Sequence, residues 1–323
     1  MNHTGVFQNL LETSPVILGE GAVIERLRRM PDIRLDEHVV NSALIYDDRG
    51  RSALAEICRQ YLAIGHGYDL PLLLSTPTWR AGRGRIAAAG LARRDLNGDN
   101  FRFLDALRRE QGDYGKRVII GGLMSCKGDA YKPEEALDAP EARTFHAWQA
   151  EALAAAGVDL LLAATLPALS EAVGLAQAQA ATGLPYLVSF VARPEGTLLD
   201  GTPLKVAIAA IDNQASPPLA YLLNCTHASV FRRAISHERN SSPHVRERVI
   251  GLFANTAALS PEELDDSTEL VEEAPEIFGA DVAALHRELN LKVLGGCCGT
   301  DDRHIDCLAR RLAVGATPLR GSI

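Results

Sequence analysis

No run of lysine or arginine interrupts this 323-residue sequence, whose 41 acidic and 33 basic side chains leave a formal charge of −8. Together with a pI near 5.6, that balance repels phosphate backbones and anionic lipid, so neither nucleic acid nor a membrane is expected as a partner. No uninterrupted apolar run reaches the length of a membrane span. The first residues, MNHTGVFQNLLETSP, lack a basic segment followed by an apolar core and a small-residue cleavage site, and a cytoplasmic protein is expected. There is no internal repeat, low-complexity tract or Pro/Ser-rich linker to divide the chain, so one domain over 1–323 is the simplest organisation. Six cysteines in a chain this long do not suggest a disulfide framework, because such frameworks staple small secreted domains with poor cores. Reduced thiols are expected, and Cys58 and Cys307, set in helical patterns, read as packing.

What the chain does have is hydrophobic material, 47% of its residues, arranged as short runs bounded by small or polar residues. Eight of them follow in order: Val16–Leu18, Pro71–Thr76, Val118–Met124, Val158–Thr165, Leu184–Val191, Leu219–Cys225, Val249–Asn255 and Leu291–Cys298. Near-continuous apolar runs suit strands of a parallel sheet covered on both faces. Between them lie helical patterns such as Pro133–Ala156, Ala168–Thr182 and Asp301–Ala313, and two Ala-rich stretches end at Gly157 and Gly183, where a left-handed cap is expected. Eight βα units predict a closed (β/α)8 TIM barrel. An open doubly wound sheet calls for a glycine-rich phosphate turn after the first strand, and Leu18-Gly19-Glu20-Gly21-Ala22 does not fit G-x-G-x-x-G.

In a barrel, side chains at the C-terminal strand ends converge on one face, where active sites are built. Here those residues are Glu20, Ser75 to Arg80, Ser125, Thr165, Ser189, Asn224 with Cys225, Asn255, and Cys297 with Cys298. Three are thiols. Thiolates select zinc among abundant metals, and three protein ligands leave a fourth tetrahedral position open, so Cys225, Cys297 and Cys298 are candidate ligands of a catalytic Zn2+. Gly295, Gly296 and Gly299 are read as allowing the bends that bring two adjacent side chains to one ion. His227 is a rival fourth ligand, which would make the site structural; an isolated histidine in this position also suits a helix entry. A substrate thiol at an open three-thiolate zinc loses its proton and becomes a nucleophile near neutral pH, which favours alkyl transfer to sulfur over hydrolysis. A regulatory protein that releases metal when Cys297 and Cys298 oxidise is the alternative of another class.

The segments Gly295-Gly296-Cys297-Cys298-Gly299-Thr300 and Asn224-Cys225 resemble the zinc-binding motifs of the homocysteine S-methyltransferase family. The likeness extends to Ser189-Phe190 with Gly196-Thr197-Leu198-Leu199-Asp200-Gly201-Thr202-Pro203-Leu204, and to Ala156-Gly157-Val158-Asp159-Leu160-Leu161, covering about Val16 to Leu312. It implies a (β/α)8 barrel with zinc on three cysteines, and a small-molecule pair of thiol acceptor and methyl donor, with homocysteine converted to methionine. Two departures stand out. The family's fourth strand usually ends in Glu-Thr, whose carboxylate holds the homocysteine amine, whereas this chain has Ala164-Thr165. The first strand ends in Gly19-Glu20-Gly21 where the family usually has an Asp, so Glu20, beside Gly21, is left as the amine-binding acid. Arg80 is a candidate carboxylate clamp and Trp79 a candidate cation-π wall for a methyl donor; the alternative reading is a rim salt bridge and a core tryptophan. Lys127 and Asp129, in the loop after the third strand, are further candidates, while Cys126 is not expected to be a ligand. The acidic stretch Glu262 to Glu276 reads as a solvated loop and short helix.

Overall fold

The structure, a computed structural model, describes residues 5–259, 263 and 272–315. Eight strands close into an all-parallel barrel in sequential order: β1 (Ile17–Gly19), β2 (Leu72–Ser75), β3 (Val118–Met124), β4 (Leu160–Leu166), β5 (Tyr186–Phe190), β6 (Ala220–His227), β7 (Val249–Asn255) and β8 (Val293–Gly296). Closure is made by Ile17 and Leu18 of β1 in register with Val293 and Leu294 of β8. All eight apolar runs therefore became strands, although several are shorter than their runs. The eighth stops at Gly296, which leaves Cys297 and Cys298 on the turn beyond it.

Alternation along each strand divides the apolar residues into two sets. One set draws on every strand, with Ile17, Leu73, Ile119, Leu162, Leu187, Leu222, Phe253 and Val293 packed together inside the barrel. Phe7 and Leu10 of the helix Val6–Thr13 join this inner set and plug one end of it. The other set, including Leu18, Leu72, Ile120, Leu161, Val188 and Leu294, faces the surrounding helices. Each large side chain removed from water in this way is worth about 1.5–3 kcal/mol.

Three of the helices start where an aspartate accepts from a free N–H group of the first turn. Asp47 caps Asp48–Gly67 through Gly50 N (2.6 Å), Asp95 caps Leu96–Arg109 through Gly98 N (3.1 Å), and Asp138 caps Ala139–Ala156 through Glu141 N (2.9 Å). The expected helix Pro133–Ala156 is thus split: a short 3-10 turn, Pro133–Glu135, comes first, and the helix begins only after Asp138. Its end is as expected, with Gly157 in the left-handed region (φ 99°). Among the described residues no helix is long and apolar enough to cross a membrane. The acidic stretch from Glu262 lies largely outside the described residues; its end enters the helix Pro275–Leu289.

Candidate metal centre and active site

Three sulfurs meet at the C-terminal mouth of the barrel. The ligand atoms of Cys225, Cys297 and Cys298 lie within 4.8 Å of one another, and they form the one such group among the described residues. Cys225 Sγ is 2.8 Å from Cys297 Sγ and 3.9 Å from Cys298 Sγ. A tetrahedral zinc with sulfurs at about 2.3 Å spaces them by about 3.8 Å. The second distance already matches, and the first needs about 1 Å of opening. His227 is not part of the group. Its Nδ1 accepts from Ser229 N (3.2 Å) and it caps the helix Ala228–Ser236, which bears out the helix-entry alternative.

Both sides of the cluster depend on irregular backbone. The β4–β5 register shifts between Ala163 and Leu166, the β6–β7 register between Asn224 and Thr226, and the two residues at these bulges, Thr165 (φ 61°) and Cys225 (φ 49°), have positive φ. For a β-branched threonine that conformation costs on the order of 1–3 kcal/mol, and such strain is held only where neighbours over-determine it. Asn224 does so: its Oδ1 accepts from Thr165 N (2.8 Å) and Ser189 Oγ (2.7 Å), while its Nδ2 donates to Thr165 Oγ1 (2.7 Å). One buried amide thereby ties β4, β5 and β6 together next to the first thiol. The same Nδ2 lies 3.6 Å from Cys225 Sγ, and Tyr131 packs beside that sulfur. Hydrogen bonding with the Cys297 and Cys298 thiols holds Cys225 well below the usual thiol range, and the same contacts with Cys225 raise its two neighbours. This donor set suits an anionic sulfur, so the residues fit a cationic metal.

The second side is the turn after β8. Cys297 N donates to Ala254 O (2.7 Å), Cys298 N to Asn255 Oδ1 (3.0 Å), Gly299 N to Glu25 Oε2 (2.6 Å), and Thr300 Oγ1 to Cys297 O (2.6 Å). Of the three glycines, only Gly299 is left-handed (φ 81°). Gly295 and Gly296 lie in β8 and are needed for room instead of for bending. A Cβ at Gly295 would fall 2.5 Å from the Phe253 ring, and one at Gly296 would fall 2.4 Å from Thr300 Oγ1.

The sulfurs open onto a cleft of about 510 Å³, a size suited to small molecules. Glu20, Gly21, Trp79, Ala164, Thr165 and Asn224 line it, as do Leu123, Leu162 and Phe253. Glu20 Oε1 accepts from Ser75 N (3.0 Å), whereas its Oε2 is shielded from solvent and has no partner. Burial pushes this carboxyl up to about 8, with the Ser75 hydrogen bonds pulling the other way. Ser189 and Asn255 sit behind the cleft wall, one holding Asn224 and the other the Cys298 amide. Arg80 does not face the cleft. Its guanidinium lies over the Trp79 ring (4.4 Å to the centroid), and Nη1 donates to the carbonyls of Cys126 (3.3 Å), Lys127 (3.2 Å) and Gly128. The rim salt bridge is not seen either, because carbonyls and not a carboxylate take the guanidinium. Lys127 is exposed, and Asp129 accepts from Tyr131 N (2.9 Å), so both shape the β3 loop. The residues missed in the sequence are Tyr131, packed on the thiols, and Arg28 and Arg29 at the cleft wall. The arginines belong to the segment directly after β1, which a scan of strand-end loops could have included.

A family model described as homocysteine S-methyltransferase matches residues 17–312. The chain belongs to the homocysteine S-methyltransferase family. It is a methyltransferase, and the non-catalytic sensor considered above is set aside. The homocysteine S-methyltransferase YbgG of Bacillus subtilis is 24% identical over 94% of this chain and 96% of its own length. Betaine–homocysteine S-methyltransferase 1 of Bos taurus is 23% identical over 94% of this chain and 74% of its own. Among solved structures, the homocysteine methyltransferase MmuM of Escherichia coli superimposes with a TM-score of 0.76 in its oxidised form and 0.74 in its metallated form. Those two are 20% and 19% identical over 95% of this chain and 99% of theirs, which bears out the fold.

Proposed function

We propose that this methyltransferase carries Zn2+ on Cys225, Cys297 and Cys298 and moves a methyl group from a sulfonium donor, S-methylmethionine or S-adenosylmethionine, to homocysteine to give methionine. The observation that carries the reading is the opening of three convergent sulfurs onto a cleft that is also lined by Glu20, whose buried Oε2 has no partner. Zinc held by the three thiolates supplies Lewis acidity that lowers the pKa of an incoming thiol, so that it reacts as a thiolate near neutral pH. The acceptor sulfur attacks the methyl carbon in line. A C–S bond forms as the donor's C–S bond breaks, and its electron pair returns to the donor sulfur, which departs neutral, so no general acid is required. Glu20 accepts the acceptor's ammonium after giving up its own proton. Trp79 supplies an aromatic surface near the cationic donor, and Asn224 and Asn255 hold the sulfurs in place.

A second reading, a different thiol as acceptor, is favoured by Ala164. That residue puts a methyl group, with Leu162 and Leu123 nearby, where a second acid would contact an amine. A lone carboxyl that is neutral when empty grips an ammonium less well than two acids do. The test is zinc content together with methionine formation from homocysteine and S-methylmethionine, S-adenosylmethionine or betaine, in wild type, Cys297→Ala and Ala164→Glu. Stoichiometric zinc and turnover lost in Cys297→Ala support the first reading. Zinc without methionine from any donor eliminates homocysteine and leaves the second.

A further inference from the structure

Among the described residues, two that line the cleft hold a solvent-shielded side-chain oxygen with no hydrogen-bond partner. One is Glu20, used above. The other is Asn41, only 3% exposed, whose Oδ1 nothing in the protein satisfies. A buried carbonyl oxygen without a donor is costly, so such a group calls for a partner from outside the chain. Asn41 also leaves aside the role its position offers. It precedes the 3-10 helix Ser42–Tyr46, where an asparagine side chain ordinarily accepts from a first-turn N–H, and it makes no such bond. The backbone before it is tightly set: Asp36 and Val40 exchange N–H···O bonds (2.9 and 3.0 Å), with Val40 at φ 55°, a left-handed conformation that a β-branched residue rarely adopts.

Position decides which substrate the amide meets. On the helix Leu96–Arg109, Asn97 and Asn100 stand three residues apart on one face. Asn97 Nδ2 donates to Ala81 O (3.1 Å) and Asn100 Nδ2 to Ser42 O (3.0 Å). One helix face therefore holds the residue after Asn41 beside the loop that carries Trp79, and Asn41 and Trp79 both line the cleft. Trp79 is the surface assigned above to the cationic donor. Both sulfonium donors considered there, S-methylmethionine and S-adenosylmethionine, end in an amino acid whose α-ammonium can donate to an amide oxygen.

We propose that Asn41 is a specificity-determining residue that accepts a hydrogen bond from the α-ammonium of the methyl donor, and so selects sulfonium amino acids over donors that have no N–H. The proposal rests on the sulfonium-donor reading given above. It divides the work of the cleft between its two unpartnered oxygens, Glu20 Oε2 for the acceptor's ammonium and Asn41 Oδ1 for the donor's. A hydrogen bond to a charged group corresponds to about 10- to 100-fold in binding. Since Oδ1 has no partner within the protein, replacing the amide by the similarly shaped leucine takes no hydrogen bond from that oxygen away from the fold.

The test measures dissociation constants by titration calorimetry for wild type, Asn41→Leu and Asn41→Asp. The ligands are S-methylmethionine, dimethylsulfoniopropionate, which carries the same dimethylsulfonium without the ammonium-bearing carbon, and homocysteine. Wild type is expected to prefer S-methylmethionine to dimethylsulfoniopropionate, and Asn41→Leu to lower that preference by about 10-fold or more, with homocysteine binding within about twofold of wild type. Asn41→Asp keeps an acceptor oxygen and is expected to keep the preference. Asn41→Leu that binds S-methylmethionine within about twofold of wild type overturns the proposal. So does an equal loss for homocysteine, which would give the amide to the acceptor. Wild type that binds homocysteine but neither sulfonium overturns the sulfonium-donor reading as well, a failure seen without reference to any variant.

Discussion

Replacing Glu20 by glutamine should make the protein more stable, and increasingly so as the pH rises. Burial raises the carboxyl from 4.5 to about 8, so the folded state favours the protonated form. The sign follows from that direction. Below pH 4.5 the carboxyl is neutral in both folded and unfolded chains and its contribution is fully present; as pH climbs from 4.5 through 8, the unfolded chain ionises freely while the folded one resists, and stability is lost. At 1.36 kcal/mol per unit, the loss by pH 7 amounts to about 3 kcal/mol. This is an upper figure, because cleft water reaches part of the side chain. Glutamine keeps an oxygen for Ser75 N and never ionises. Thermal midpoints of wild type and Glu20→Gln should therefore nearly coincide at pH 4.5 and separate by up to about 6 °C at pH 7, taking about 2 °C per kcal/mol for a chain of this size. A gap that stays constant between pH 4.5 and 8, or a variant that is less stable at pH 7, would refute the assignment of a strained, mostly neutral carboxyl.

Three further outcomes follow from the same geometry. Methionine, which has an ammonium but no thiol proton, should release close to one proton per molecule on binding at pH 7, as Glu20 ionises to receive it; titration calorimetry in two buffers of different ionisation enthalpy reads that number, and none released contradicts the anchor. Asn224→Ala leaves Thr165 N unpaired and should destabilise the fold by about 1–3 kcal/mol while weakening metal retention; denaturant midpoints and chelator competition measure both. Arg108, buried between Asp105 (2.6 Å) and Asp159 (2.6 Å) away from the cleft, should cost about 3–5 kcal/mol when replaced by methionine, with kcat/KM of the surviving folded protein unchanged.

The barrel was legible because each strand is an uninterrupted apolar run, such as Val118–Met124 or Val249–Asn255, and because glycines such as Gly157 mark the helix ends between them. The convergence of the three thiols was legible once the strand-end rule placed Cys225 and the Cys297–Cys298 pair on one rim. What stayed hidden depends on contacts that spacing does not encode. Arg80 looks like a free guanidinium until the β3 loop folds back over it and presents three carbonyls. Asn224 looks like a rim residue facing substrate, but the bulges at Thr165 and Cys225 make it a crosslink, and a bulge leaves no mark in an apolar pattern. Tyr131 lies seven residues beyond the last residue of β3, and nothing local says that the loop returns it to the sulfurs.

The Asn224 crosslink grips residue 165 by its main chain and hydroxyl and leaves residue 164 out of the network altogether. On the proposed reading, choice of acceptor and custody of the metal would rest on adjacent residues with separate attachments. A lineage, or an engineer, can alter position 164 to admit one thiol in place of another while the Cys225 sulfur keeps its place, and an Ala164→Glu protein should hold its metal as tightly as its parent.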